Sequence, residues 1–90
     1  MDCVARWGGE EFLILLKETD KELAQRVAER LRKIIASMPL IYQNKKVSLT
    51  VTIGVSEYND EKSDLDDIIR EADIAMYKGK SHGKNCVISA

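Results

Sequence analysis

The apolar positions of this chain do not keep one period, and each change of period predicts a change of element. Residues 4–7 read as a short strand, Gly8-Gly9 as a turn, and residues 12–16 (FLILL) as a second strand. Glycine accepts the positive φ of tight hairpin turns, so strand–GG–strand predicts a β-hairpin. FLILL is apolar throughout, which predicts a central strand covered on both faces. Thr19 and Glu22 match a capping box, with Thr19 at the N-cap. A long amphipathic helix is predicted to follow, with Leu23, Val27, Leu31, Ile34 and Ile35 at three- and four-residue intervals. Pro39 ends it. Residues 41–42 and 47–58 read as strands around a turn at Asn44-Lys45. In the second, Val47, Leu49, Val51, Ile53 and Val55 alternate with small polar residues or glycine, the period of a strand with one face in the core. Residues 59–62 form a polar loop, and Ser63 with Asp66 looks like a second cap. Leu65, Ile68, Ile69, Ala72 and Met76 make the buried stripe of a second helix, with Gly79 where a C-cap is expected. A basic loop over residues 78–84 (KGKSHGK) leads to a last strand at 86–89.

The predicted order is β-β-α-β-β-α-β. Strands dominated by hairpins, with helices packed on the sheet, predict an α+β fold with an antiparallel sheet. No internal repeat, low-complexity tract or linker interrupts it.

Composition narrows the function. The chain has 90 residues, 44% of them hydrophobic and 32% charged, the balance of one small globular domain at most. A formal charge of −1 argues against general nucleic-acid binding and gives no attraction to anionic membranes. No apolar run approaches the ~20 residues of a membrane span, and MDCVARW has no signal-peptide core. Cys3 and Cys86 lie near opposite ends without the paired spacing of a zinc site, in apolar strand-like surroundings. Buried thiols in a cytoplasmic protein are the natural expectation.

The chemistry concentrates at residues 6–12, RWGGEEF. On a regular strand Glu10 and Glu11 point to opposite faces, so both can serve one ion only where the backbone bends. Gly8 and Gly9 leave an open approach for a ligand. Carboxylates are the usual protein ligands of Mg²⁺, commonly together with substrate phosphates. Taken alone, two glutamates beside a turn are ordinarily solvated, and a lysine-rich loop likewise.

As a unit, RWGGEEF resembles the signature of the GGDEF family, the diguanylate cyclases, in its GGEEF form. VTIGVS (51–56) resembles the family's strand after the long helix. ADIAMYKGK (72–80) with GKN (83–85) resembles its C-terminal helix and loop. Three blocks in the family's order span nearly all of residues 1–90.

The resemblance implies a fold like the palm of nucleotide polymerases and nucleotidyl cyclases, here incomplete. It implies condensation of two GTP into cyclic di-GMP and pyrophosphate, with Mg²⁺ or Mn²⁺, by a homodimer whose active sites face each other. By position, Glu10 is a metal ligand that assists deprotonation of the attacking 3′-hydroxyl, and Glu11 supports the metal site. Gly8 and Gly9 let backbone pass close to the nucleotide, and Lys80 and Lys84 contact phosphates. Asp2 falls at the Asp of the family's inhibitory Arg-x-x-Asp product site. Arg26 and Arg30 match helix positions that contribute to its secondary face, though solvent-facing helix arginines read equally well.

The chain departs from the pattern at several positions. Gly79 stands where the family more often has Ala. Lys84 stands where it more often has Arg, which keeps the charge but loses the bidentate fork. His82 is a lone loop histidine, more often incidental than catalytic. The family's first strand and two following helices have no counterpart, so one metal ligand and the guanine contacts are absent from residues 1–90. Open strand edges then predict dimerisation or strand exchange of the isolated chain.

The expectation is a segment of a cytoplasmic catalytic domain, inactive alone, within a protein that is either soluble or membrane-anchored and carries an upstream sensor or receiver domain. A catalytically silent GTP or cyclic di-GMP binding module is the alternative. A purely structural ferredoxin-like domain is the third reading, and it leaves GGEEF unexplained.

Overall fold

A computed structural model of the chain describes residues 3–8, 11–16, 19–58 and 64–90, with backbone alone for 3–8 and 11. Asp2, Gly9, Glu10, the 59–62 loop and Ser63 lie outside the described residues.

The architecture is α+β, as the periodicity predicts. Strands β1 (Cys3–Gly8) and β2 (Glu11–Leu15) form an antiparallel hairpin. Helix α1 (Lys21–Ser37) follows. Strands β3 (Leu40–Tyr42) and β4 (Lys45–Val47) form a second antiparallel hairpin. Strand β5 (Ile53–Val55), helix α2 (Leu65–Ser81) and strand β6 (Val87–Ser89) then make a crossover unit, in which β5 and β6 pair in parallel.

Both helices lie against β5–β6 without approaching each other. This is where the core sits, and small residues make it: Ala28 of α1, Val55 of β5, Ala75 of α2. Small side chains let backbones come close, and Gly54 is the limiting case. A Cβ there would meet the Ala72 carbonyl oxygen at 1.8 Å. Gly79 is buried in the same contact.

The predicted strand over residues 47–58 is two short strands. Lys45–Val47 is held by β3, Ile53–Val55 by β6, and residues 48–52 have no ladder partner among the described residues. Alternation shows which face a strand would bury, but a strand persists only where another pairs with it. The β3–β4 turn also shifts back by one residue. Its two central positions are Gln43 and Asn44, at φ 51° and 65°, the double left-handed geometry of a two-residue hairpin.

The helix caps shift too. Asp20, not Thr19, caps α1, its Oδ1 accepting from the Leu23 amide at 2.8 Å. Asp64 caps α2, accepting from the Asp66 amide at 3.0 Å. Carboxylates favour these positions twice over, as acceptors and as charges at the positive end of the helix dipole. Gly79 does not end α2. The helix runs on to Ser81, His82 is the C-cap, and Gly83 at φ 106° takes the left-handed position after it.

FLILL is not covered on both faces. Phe12 is 68% exposed, and Ile14 and Leu15 are about as open as a surface residue. Among the described residues, β1 and β2 pack on each other and on no further helix or strand. Leu23, Val27 and Ile34 of α1 and Leu65 of α2 are exposed as well, so each apolar stripe is only partly used. The radius of gyration, 14.1 Å, exceeds the ~12 Å of a compact 90-residue domain.

Gly79 carries a testable consequence. A Cβ there would stand 2.6 Å from Thr52 Cγ2, 3.0 Å from Cys86 Sγ and 3.2 Å from Ile88 Cγ1. Gly79→Ala is expected to cost about 1–3 kcal/mol by overpacking. Thr52→Ser removes the crowding methyl but keeps the hydroxyl, so the double variant should regain most of the loss. Denaturant titration of the three variants decides it; a fully stable single alanine variant would refute this packing account.

Candidate functional site

Of the GGEEF segment, Gly8, Glu11 and Phe12 lie in the strands of the first hairpin. Gly8 pairs with Glu11 and Arg6 with Phe12, so the register slips by one residue at Trp7. Such a bulge bends the strand and re-aims side chains, and bulges recur beside active sites. The bend required for neighbouring carboxylates to share an ion is therefore next to them in sequence. Gly9 and Glu10 themselves lie outside the described residues.

The basic segment is built differently. Lys80 is in the last turn of α2 and Lys84 in the loop after it, both exposed. Lys80 Nζ stands 5.7 Å from the centroid of the Tyr77 ring. Among the described residues neither lysine is ion-paired, so both are available to an external anion. The backbone beneath them is closely held. The Gly79 carbonyl accepts from the His82 amide at 3.1 Å and the Lys84 amide at 3.0 Å, with the Cys86 thiol at 3.6 Å. The Asn85 amide donates to Thr52 Oγ1 at 3.1 Å, and the Ile53 amide to the Cys86 carbonyl at 2.9 Å. Gly83, Lys84 and Asn85 all have positive φ. Two consecutive non-glycine residues in that region persist only where their surroundings fix them. His82 is exposed, with Nδ1 against the Lys78 carbonyl at 2.6 Å, a helix-end contact.

One side chain reaches this loop from the other helix. Arg32 of α1 donates from NH1 to Asn85 Oδ1 at 2.9 Å. Its Nε and NH2 engage the Glu29 carboxylate. The Arg32 hydrogen bond, aided by the charges of Arg32 and Lys33, holds the Glu29 carboxyl below the usual glutamate range. The same bond and the Glu29 charge push the Arg32 guanidinium further up. Sequence patterning assigns Arg32 no role, because its partner lies on a distant segment. The one available signal was Asn85, a residue suited to left-handed backbone, directly after Gly83-Lys84.

Arg26 and Arg30 are exposed on α1 and line a shallow groove with Glu22, Glu29 and Lys33. Arg26 is engaged with Glu22 at 3.1 Å. Asp2 lies outside the described residues. No cluster of three metal-ligating side chains occurs among the described residues, and no helix among them is long and apolar enough to cross a membrane.

A hairpin that carries the GGEEF sequence, followed by a helix and a β-α-β unit with a lysine-bearing loop between its helix and its last strand, defines a class. The family model described as "Diguanylate cyclase, GGDEF domain" matches residues 1–86. The protein belongs to that GGDEF family. It is 42% identical over 86 residues to diguanylate cyclase A of Treponema denticola, a match covering 96% of this chain and 23% of that protein. The active GGEEF domain of a diguanylate cyclase from Vibrio cholerae superposes with a TM-score of 0.84 at 38% identity, over 96% of this chain and 54% of that one. The GGDEF domain of DgcB from Caulobacter crescentus, solved in complex with c-di-GMP, gives a TM-score of 0.88 at 28% identity, over 96% and 52%. The chain thus spans about half of the solved domains and about a quarter of that curated relative. It is part of a GGDEF domain.

Proposed function

We propose that the protein is a diguanylate cyclase, and that residues 1–90 supply the C-terminal part of its catalytic domain. The observation that carries this reading is the intact GGEEF segment at the end of a hairpin bulged at Trp7. Relatives that match nearly the whole chain are named as diguanylate cyclases, which supports it. The reaction joins two GTP molecules into cyclic di-GMP and releases pyrophosphate.

The donor set at the hairpin is all oxygen, which suits a hard divalent cation such as Mg²⁺ or Mn²⁺. Glu10 would hold it, with Glu11 in support. The cation would polarise the α-phosphate and neutralise charge on the triphosphate. Glu10 would also help remove the proton of the attacking 3′-hydroxyl. Gly8 and Gly9 would let backbone lie against the nucleotide. Lys80 and Lys84 would meet the phosphates as charge passes to the departing pyrophosphate.

Catalysis would take place in a homodimer, each subunit presenting one GTP, under an upstream sensor or receiver domain and in the cytoplasm. Asp2, Arg26 and Arg30 would belong to a product-inhibition site. The isolated chain corresponds to half of the solved domains and would be inactive. Its open strand edges would favour strand-exchanged dimers.

The test is GTP turnover with Mg²⁺, read as cyclic di-GMP by chromatography over a range of protein concentrations. The 90-residue chain should yield no product above its Glu10→Ala variant, whereas a form containing a whole domain should. A whole-domain form that binds GTP and never makes product would instead establish a silent binding module.

A further inference from the structure

The interaction that crosses from α1 to the basic loop has no part in the core. Arg32 keeps 18% of its side chain exposed, and Glu29 keeps 40%. Glu29 engages Nε and NH2, which fixes the plane of the guanidinium and leaves NH1 to donate to Asn85 Oδ1. The Asn85 amide is held in turn by Thr52, and the neighbouring Lys84 amide by Gly79. The positive-φ residues 84 and 85 are thereby tied to α1, to the segment before β5 and to α2 at once. Lys84 is exposed at this point, the one cation between the two anchored amides of residues 84 and 85.

We propose that Arg32 is a positioning residue, which through Asn85 holds the loop so that Lys84 is a preformed contact for the phosphates of a nucleotide. The inference rests on the phosphate role assigned to Lys84 above, and adds the part of α1 that sets it. A fixed loop spares the ligand the cost of ordering it. Lysine cannot replace Arg32, because an ammonium lacks the fork that engages a carboxylate and an amide in one plane.

The experiment uses the 90-residue chain with inorganic pyrophosphate and Mg²⁺, read by calorimetric titration, with hydrogen exchange of the Lys84 and Asn85 amides alongside. Lys84→Gln should weaken binding and leave exchange at those amides unchanged. Arg32→Lys and Asn85→Gly should each weaken binding about three- to tenfold and speed exchange. Glycine tolerates the positive φ of position 85, so that variant removes the side-chain acceptor while allowing the backbone shape. The double variant should lose no more than either single one, since both break one link. Wild-type affinity in Arg32→Lys and Asn85→Gly, with Lys84→Gln still weakened, overturns the positioning role and leaves the phosphate role standing. Additive losses in the double variant also overturn it, because Arg32 would then act on the ligand by itself. Pyrophosphate binding that ignores Lys84→Gln removes the phosphate role and this inference together.

Discussion

Glu10→Ala, in a form of the protein that makes cyclic di-GMP, is expected to lower turnover at least about a thousandfold. A cation at a reacting phosphate is worth several kcal/mol of transition-state stabilisation, and each 1.4 kcal/mol is about tenfold in rate. Alanine would also remove the group proposed above to assist loss of the 3′-hydroxyl proton. Glu10→Asp keeps a carboxylate and should retain measurable activity. Circular dichroism and thermal unfolding of the alanine variant should match wild type, since a metal ligand removed in the absence of metal takes away a charge and no apolar contact. The assay is cyclic di-GMP formed per unit time at saturating GTP. Wild-type turnover in Glu10→Ala would sink the assignment of the metal site.

The second large effect belongs to folding. Gly54→Ala is expected to destabilise the chain by about 3 kcal/mol or more. The new Cβ would stand 1.8 Å from the Ala72 carbonyl oxygen and 2.6 Å from the Met76 amide nitrogen. Both are helix backbone, so no rotamer change relieves the clash, and α2 must move off β5 as a body. Overpacking usually costs about 1–3 kcal/mol where side chains can yield, and this site cannot yield that way. Against a total stability of about 5–15 kcal/mol, such a loss is large. Urea denaturation followed by circular dichroism measures it. An alanine variant within about 0.5 kcal/mol of wild type would mean that β5 and α2 are not in contact in solution. Because α2 carries Lys80 and leads into the Lys84 loop, the same variant should also weaken pyrophosphate binding.

These two predictions differ in what made them visible. Glu10 was legible in the chain itself: paired carboxylates beside paired glycines are unusual enough to carry a family resemblance. Nothing in the sequence said that Gly54 was anything but a small residue on an alternating strand. Its importance appears only when Ala72, from a helix beginning eleven residues later, is laid against it. Asp20 and Asp64 show the same limit locally. Thr19 and Ser63 satisfy the capping pattern on paper, yet the neighbouring aspartates take the caps. Choosing between adjacent candidates depends on the angle at which the chain enters the helix.

Hydrophobic period determined that there are two helices and that residues 12–15 and 53–55 lie in strands, and Pro39 that α1 stops just before it. Those properties are local, set by φ restriction and by which side of an element can leave water. Residue identity in three blocks, 6–12, 51–56 and 72–85, determined the family. Tertiary structure alone decided which apolar stripes are buried, that β5 and β6 run parallel, and that residues 47–58 are two strands rather than one. It also decided that Arg32 reaches Asn85, a residue 53 positions away. Such features depend on pairing and contact between distant segments, where each partner is ordinary by itself and only the shared geometry gives it a role.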